Sequence, residues 1–216
     1  MTLSFRLGKI PVRVQPVFLL MAAFLGASAG GLAAMAAWVA VVFASVLLHE
    51  LGHAAACLAF GLEPSIELHT TGGTTSWVTE RVLAVRQRVT ISLAGPFAGF
   101  LLGGLAWAAG RTVPALQQNF ACGALVYVNL GWGLLNLLPM LPLDGGNVMA
   151  QLLNGFTAGR GMRPAYIVSI VVAASAIPLA LAVQNYWGAM MSLFFLSSNW
   201  RGLQYLRATE RDGGAR

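Results

Sequence analysis

The chain has 216 residues, 57% of them hydrophobic and 9% charged, with a formal net charge of +6 and a mean hydropathy of +0.72. This composition excludes an ordinary soluble domain and indicates an integral membrane protein. The basic excess would suit nucleic acid, but the positions of the 13 basic residues argue otherwise.

In chain order, Leu3 to Val14 has strand character, with Leu3, Phe5 and Leu7 alternating and then Ile10, Val12 and Val14. A membrane span needs about 20 apolar residues, and six stretches qualify, roughly 16–33, 36–60, 90–110, 119–138, 165–183 and 186–203. The first of these, with Ala27-Ser28-Ala29, imitates a secretory signal. Because an apolar stretch resumes at Leu32, it is read as a retained span. With the N-terminus inside, Arg6, Lys9, Arg13, Arg81, Arg86, Arg88, Arg160, Arg163, Arg201, Arg207, Arg211 and Arg216 are cytoplasmic, and only Arg111 falls outside. That asymmetry is the positive-inside rule, so the charge reports topology, with both termini cytoplasmic and no nucleic-acid partner. The predicted fold class is an all-α polytopic membrane protein of about six transmembrane helices with a small membrane-associated β-hairpin or sheet, one domain over 1–216.

From Val14 to Leu62 the only ionisable side chains besides Cys57 are His49, Glu50 and His53. Ionisable groups at membrane depth are costly and need a partner. Positions i and i+4 share a helix face, so His49 and His53 can point imidazole nitrogens at one zinc ion while Glu50 reaches the same volume as a general base. Two helix histidines bonding carbonyls is the plainer alternative. Cys57 and Cys122 both lie in predicted spans, which argues against a disulfide framework, and Cys57 is expected to be a small apolar filler.

After the second span, Ser65–Thr71 and Thr74–Thr79 are β-prone, and Gly72-Gly73 between them is a two-residue hairpin signal. An ordinary cytoplasmic loop hairpin is the alternative. His69 is expected as a solvated or hydrogen-bonded strand residue. Gly95, Gly99 and Gly103 form a small-residue stripe on the third span, read as close helix packing and nothing more. Asn129 and Asn136, seven apart, share a face of the fourth span; Asn129 is assigned to helix packing and Asn136 to substrate or hairpin contact.

A catalytic zinc usually takes three protein ligands and a water. Among the seven acidic residues Asp144 stands out. Pro139 and Pro142 should end the fourth span, and Gly145-Gly146 permits a tight turn that can aim the carboxylate back toward the bundle. A turn or N-cap aspartate is the alternative. Zinc with Asp144, Glu50 and neutral histidines makes a neutral cluster, which a low-dielectric site favours.

At these residues the chain resembles the site-2 protease family of intramembrane zinc metalloproteases. The resemblance rests on H-E-L-G-H at 49–53 and N-L-L-P-M-L-P-L-D-G-G at 136–146, supported by S-L-A-G-P at 92–96, and anchors the region from 43 to 150. It implies one Zn2+ per chain held by His49, His53 and Asp144, with Glu50 as the base and Asn136 binding substrate. It further implies that the hairpin carrying Gly72 and Gly73 dips into the membrane beside the site, and that 1–216 is a single integral membrane protease domain. Within that domain the three-helix catalytic core covers 36–150, the N-terminal strand 3–14 and the hairpin 65–79. Asn147 departs from the pattern, since many members carry a basic residue there, which bears on local packing or substrate contacts. No PDZ or CBS domain follows the core, so the chain looks like a compact member, similar to the sporulation-factor protease group.

The implied activity is zinc-dependent cleavage of peptide bonds within or near transmembrane segments of single-span membrane proteins. The implied setting is the cell membrane of a prokaryote, multi-pass in the bilayer, with a regulatory membrane protein or a homo-oligomer as a further partner. If the second span enters the cytosol near Phe60, His53 lies about 11 Å from its inner end, so cleavage is expected toward the cytoplasmic side. A helical substrate hides its peptide bonds, so an extended segment must be bound, and an exposed hairpin edge can receive it by strand addition. Two alternatives stand beside this reading. A non-catalytic zinc-binding membrane protein would have no need of Glu50. A prenyl-protein-processing type of protease uses a downstream glutamate ligand, and after residue 80 the only glutamate is Glu210, in the polar tail.

Overall fold

The computed structural model describes residues 2–157 and 159–213. Arg216, counted above among the cytoplasmic basic residues, lies outside the described residues.

The N-terminal run folds as two strands, β1 (Leu3–Leu7) and β2 (Ile10–Val14), reversing at Gly8, whose φ of +58° suits glycine. Helix α1 (Pro16–Leu25) starts with proline at its first turn. It is followed by α2 (Leu32–Ala59), strands β3 (Glu63–His69) and β4 (Gly72–Val78), and α3 (Val85–Thr112). The fourth apolar stretch is a helix in pieces: α4 (Phe120–Val126), a π-helical stretch over Tyr127–Trp132, and α5 (Gly133–Asn136). Then come α6 (Asp144–Phe156), α7 (Met162–Ala182) and α8 (Tyr186–Gly213).

Among the described residues three helices, α2, α3 and α7, are long and apolar enough to cross a membrane, so the expected count of six is not confirmed. The reasons differ by element. Gly30 and Gly31, with φ of +95° and +130°, turn the chain into α2. Helix α1 ends before them, at Leu25 with Gly26 as its cap, where a Cβ would lie 2.5 Å from the Trp38 ring, so it has ten residues. At 1.5 Å per residue that is about 15 Å, half the hydrocarbon thickness. Phe120–Asn136 falls short of a full span, and α8 mixes apolar turns with Arg201, Arg207 and Glu210. On α3, Leu93, Phe97, Leu101 and Leu105, spaced four apart, form an exposed stripe of large apolar residues along one face.

The strands form one sheet in the order β1-β2-β3-β4, with β2 parallel to β3 and the other pairs antiparallel. The N-terminal run therefore does extend the hairpin's sheet. The hairpin turn is Thr70-Thr71, with His69 opposite Gly72, and not Gly72-Gly73 as expected. Both glycines are strand residues. Val12, Val14, Ile66 and Leu68 are fully buried and join Val41, Val42 and Ala54 of α2 in one core, so the sheet is held against α2 by its apolar face.

The chain divides into two compact units, Met1–Leu135 and Asn136–Arg216. In the second, α7 packs on α8, with Gly202 closely approached by the Tyr166 ring. The segment between Asn136 and Asp144 is tied down from both sides. Ser169 Oγ accepts from the Leu141 N–H at 2.9 Å, and Asn199 Nδ2 donates to the Leu141 carbonyl at 2.7 Å.

Candidate metal centre

His49, Glu50 and His53 stand on the C-terminal half of α2, which ends with Phe60 as its cap. Glu50 and His53 are buried and His49 is partly so. Each can offer one ligand atom, and these atoms all lie within 4.8 Å of one another. His53 Nδ1 is 2.6 Å from the Ile91 carbonyl oxygen on α3. A carbonyl can only accept, so Nδ1 carries the proton and Nε2 carries the lone pair. That lone pair meets His49 Nε2 at 3.1 Å. Two nitrogens each roughly 2.0–2.1 Å from one tetrahedral zinc stand about 3.3 Å apart, so the pair fits a shared ion. The Ile91 carbonyl is the outer-shell partner that orients such a ligand.

The neighbouring helix leaves room for these rings because it is small there. A Cβ on Gly95 would collide with Nε2 of His53 and lie 2.5 Å from its Cε1. One on Gly52 of α2 would lie 2.5 Å from the Ala94 carbonyl. The stripe of Gly95, Gly99 and Gly103 therefore does more than pack helices: its first member makes the space His53 occupies. Asn129 takes the packing role expected of it, donating to Ser45 Oγ at 2.8 Å and to the Leu125 carbonyl at 2.9 Å. Asn129 itself lies within the π-helical stretch Tyr127–Trp132.

Strand β4 closes over Glu50. A Cβ on Gly73 would lie 2.5 Å from Glu50 Cγ and 2.6 Å from Oε1, and Thr75 Oγ1 is 2.7 Å from Oε2. Gly72, by contrast, has open space around it and a φ of +138°. His69 bonds Thr74 and Thr71 at the exposed hairpin end, as a hydrogen-bonded strand residue. Cys57 is fully buried among Leu62, Leu83 and Ile91, and Cys122 Sγ contacts the Ala106 carbonyl; both thiols are free.

Asp144 lies in the second unit, buried, as the first residue of α6, with Leu143 as the cap. Asn136 Nδ2 donates to its Oδ2 at 2.6 Å. Gly145 and Gly146 do not make the tight turn expected of them, since both are helical. They are glycines because a Cβ on Gly145 would strike the Leu137 carbonyl and one on Gly146 the Met140 backbone. Residues that sequence reasoning missed are Ile91, which acts through its backbone, and Thr75. Thr75 carried only a weak signal, its place two residues after Gly73 on the same strand face.

No protein-family profile matches the chain. Among curated proteins it is 32% identical over 169 residues to the candidate zinc metalloprotease sll0528 of Synechocystis, an alignment covering 73% of this chain and 44% of that protein. It is 30% identical over 199 residues to the candidate zinc metalloprotease Rip3 of Mycobacterium tuberculosis, covering 82% and 50%. It is also 30% identical over 144 residues to stage IV sporulation protein FB of Bacillus subtilis, covering 66% and 48%. The chain thus spans about half the length of the curated relatives it matches. Its fold is similar to that of the site-2 protease from Methanocaldococcus jannaschii, with a TM-score of 0.68 and 23% identity over 94% of this chain and 95% of that one. The paired histidines, the buried glutamate, these relatives and that fold agree with one another: the chain is similar to zinc metalloproteases in sequence and to a site-2 protease in fold.

Proposed function

We propose that the protein is an intramembrane zinc metalloendopeptidase that cleaves peptide bonds within or near transmembrane segments of single-span membrane proteins. The observation that carries the proposal is the facing pair of imidazole nitrogens, one with its tautomer set by the Ile91 carbonyl, next to a buried carboxylate. His49 and His53 are the ligands from α2, and Asp144 is the third. Asp144 is supported by its motif, its buried carboxylate and the Asn136 donor that orients it. When bound, zinc supplies Lewis acidity toward the scissile carbonyl and lowers the pKa of a water toward ~7. Glu50 accepts the proton of the attacking water on a carboxylate oxygen and returns it to the leaving amine nitrogen. Burial under β4 keeps that carboxylate away from bulk water.

Substrate binds as an extended segment. Among the described residues strand β4 pairs only with β3, which leaves its outer edge as the place for strand addition, with Gly72, Gly73 and Asn136 as contacts. The whole chain, 1–216, acts as one protease domain in a prokaryotic cell membrane, multi-pass, with both termini cytoplasmic and cleavage toward that side. A regulatory membrane protein or a second copy is its further partner.

The test is co-expression of wild type or Glu50→Gln with a panel of tagged single-span membrane proteins, with zinc measured in each purified protein. Shortened products that need Glu50, at equal zinc, support the proposal. Equal zinc with no Glu50-dependent product moves the weight to a non-catalytic zinc protein.

A further inference from the structure

We infer that Thr75 is a positioning residue for Glu50: its hydroxyl, delivered by a rigid strand, holds the base carboxylate in one orientation. The inference rests on Glu50 being the base and adds a residue to that reading.

Strand β4 alternates, and the residues it turns toward α2 are Gly73, Thr75 and Trp77. The strand cannot slide, because its register is set by β3, with Ile66 opposite Thr75 and Leu68 opposite Gly73. A one-residue slip of β4 would turn Gly73, Thr75 and Trp77 away from α2 and bring Thr74, Ser76 and Val78 to that face. At that register Thr75 Oγ1 lies 2.7 Å from Glu50 Oε2 and 3.0 Å from the Glu50 backbone carbonyl. A hydroxyl has one proton to donate. The backbone carbonyl lies inside α2 and has a helical partner, whereas the carboxylate forms the shorter and charge-assisted bond, so the proton goes to Oε2. On the other side Gly73 presents its bare backbone to Cγ and Oε1, where any side chain would push the carboxylate away. A glutamate has three rotatable side-chain bonds, and one donor plus one close wall removes most of that freedom. The base is thereby ordered before substrate arrives, and a misplacement of about 1 Å is enough to cost on the order of 10²-fold in rate.

The experiment uses the full chain in detergent with the panel member that is cleaved, comparing Thr75→Val, Thr75→Ser, Glu50→Gln and wild type for kcat, KM and zinc per chain. Val keeps the shape and removes the hydroxyl; Ser keeps the hydroxyl. The expected result is a kcat lower by roughly 10- to 100-fold in Thr75→Val, with KM and zinc content at wild-type values and recovery to within about threefold in Thr75→Ser. Thr75→Val at the wild-type kcat, while cleavage still needs Glu50, overturns the positioning role alone. Loss of zinc together with kcat, or no recovery in Thr75→Ser, overturns it in favour of a structural role. Cleavage that survives Glu50→Gln overturns the base assignment itself. Thr75→Ala replaces Thr75→Val if the latter does not fold, with the same readings.

Discussion

Gly95→Ala asks one methyl group to share the space of a metal ligand. In an exposed helix the change would stabilise by about 1 kcal/mol through propensity. Here the new Cβ collides with His53 Nε2 and lies 2.5 and 2.7 Å from Cε1 and Cδ2, where ordinary contact is 3.4–4 Å. The imidazole has to retreat by about 1 Å, away from the carbonyl that orients it, and loss of such an orienting partner costs roughly 10- to 100-fold in metal affinity. Retreat also stretches the bond from Nδ1 to the Ile91 carbonyl, worth about 1 kcal/mol, and overpacking adds about 1–3 kcal/mol. Offset against the propensity gain, the net loss of folding stability is about 1–3 kcal/mol, while zinc affinity falls by roughly 10- to 100-fold. The assay is competition with a chelator of known affinity, run beside thermal unfolding of the same samples. Gly104→Ala is the internal control, because it lies on the same helix with nothing within 4 Å of the new Cβ. It should keep zinc and gain up to about 1 kcal/mol. If Gly95→Ala holds zinc as tightly as Gly104→Ala, the reasoning from this contact to the metal centre is wrong.

Asp144→Ala should release zinc while Glu50→Gln retains it and loses cleavage; full zinc occupancy in the aspartate variant would remove Asp144 from the ligand set. Asn136→Leu removes the donor 2.6 Å from Asp144 Oδ2 and should weaken zinc binding by roughly 10- to 100-fold, measured by the same competition; unchanged affinity would show that this bond does not tune the ligand. Ser45→Ala removes a buried acceptor from Asn129 and should lower stability by about 0.5–1.5 kcal/mol with zinc content unaffected, read by unfolding in detergent. Chelation should stop cleavage, and Zn2+ but not Ca2+ should restore it, since imidazole nitrogens suit the first and hard oxygen donors the second.

Spacing alone determined much of this protein. An H-E-x-x-H pattern puts its histidines on one face whatever surrounds the helix, because helical periodicity is local, and 57% hydrophobic residues require a bilayer whatever the topology. The strand character of Leu3 to Val14 was likewise local and legible. Apolar length was not enough to count spans, since the first apolar stretch is helical only over Pro16–Leu25 and the fourth only over Phe120–Asn136. The hairpin glycines misled as well. Glycine marks both a tight turn and a close approach, and only the tertiary structure separates them: Gly73 is small because Glu50 is there, Gly95 because His53 is there, Gly145 because a backbone carbonyl is there. Thr75 and the Ile91 carbonyl were invisible for the plainest physical reason. A hydrogen bond to a side chain 25 or 38 residues away depends on how elements pack, and neither a threonine in a strand nor a backbone oxygen in a helix carries any mark of that in the order of residues.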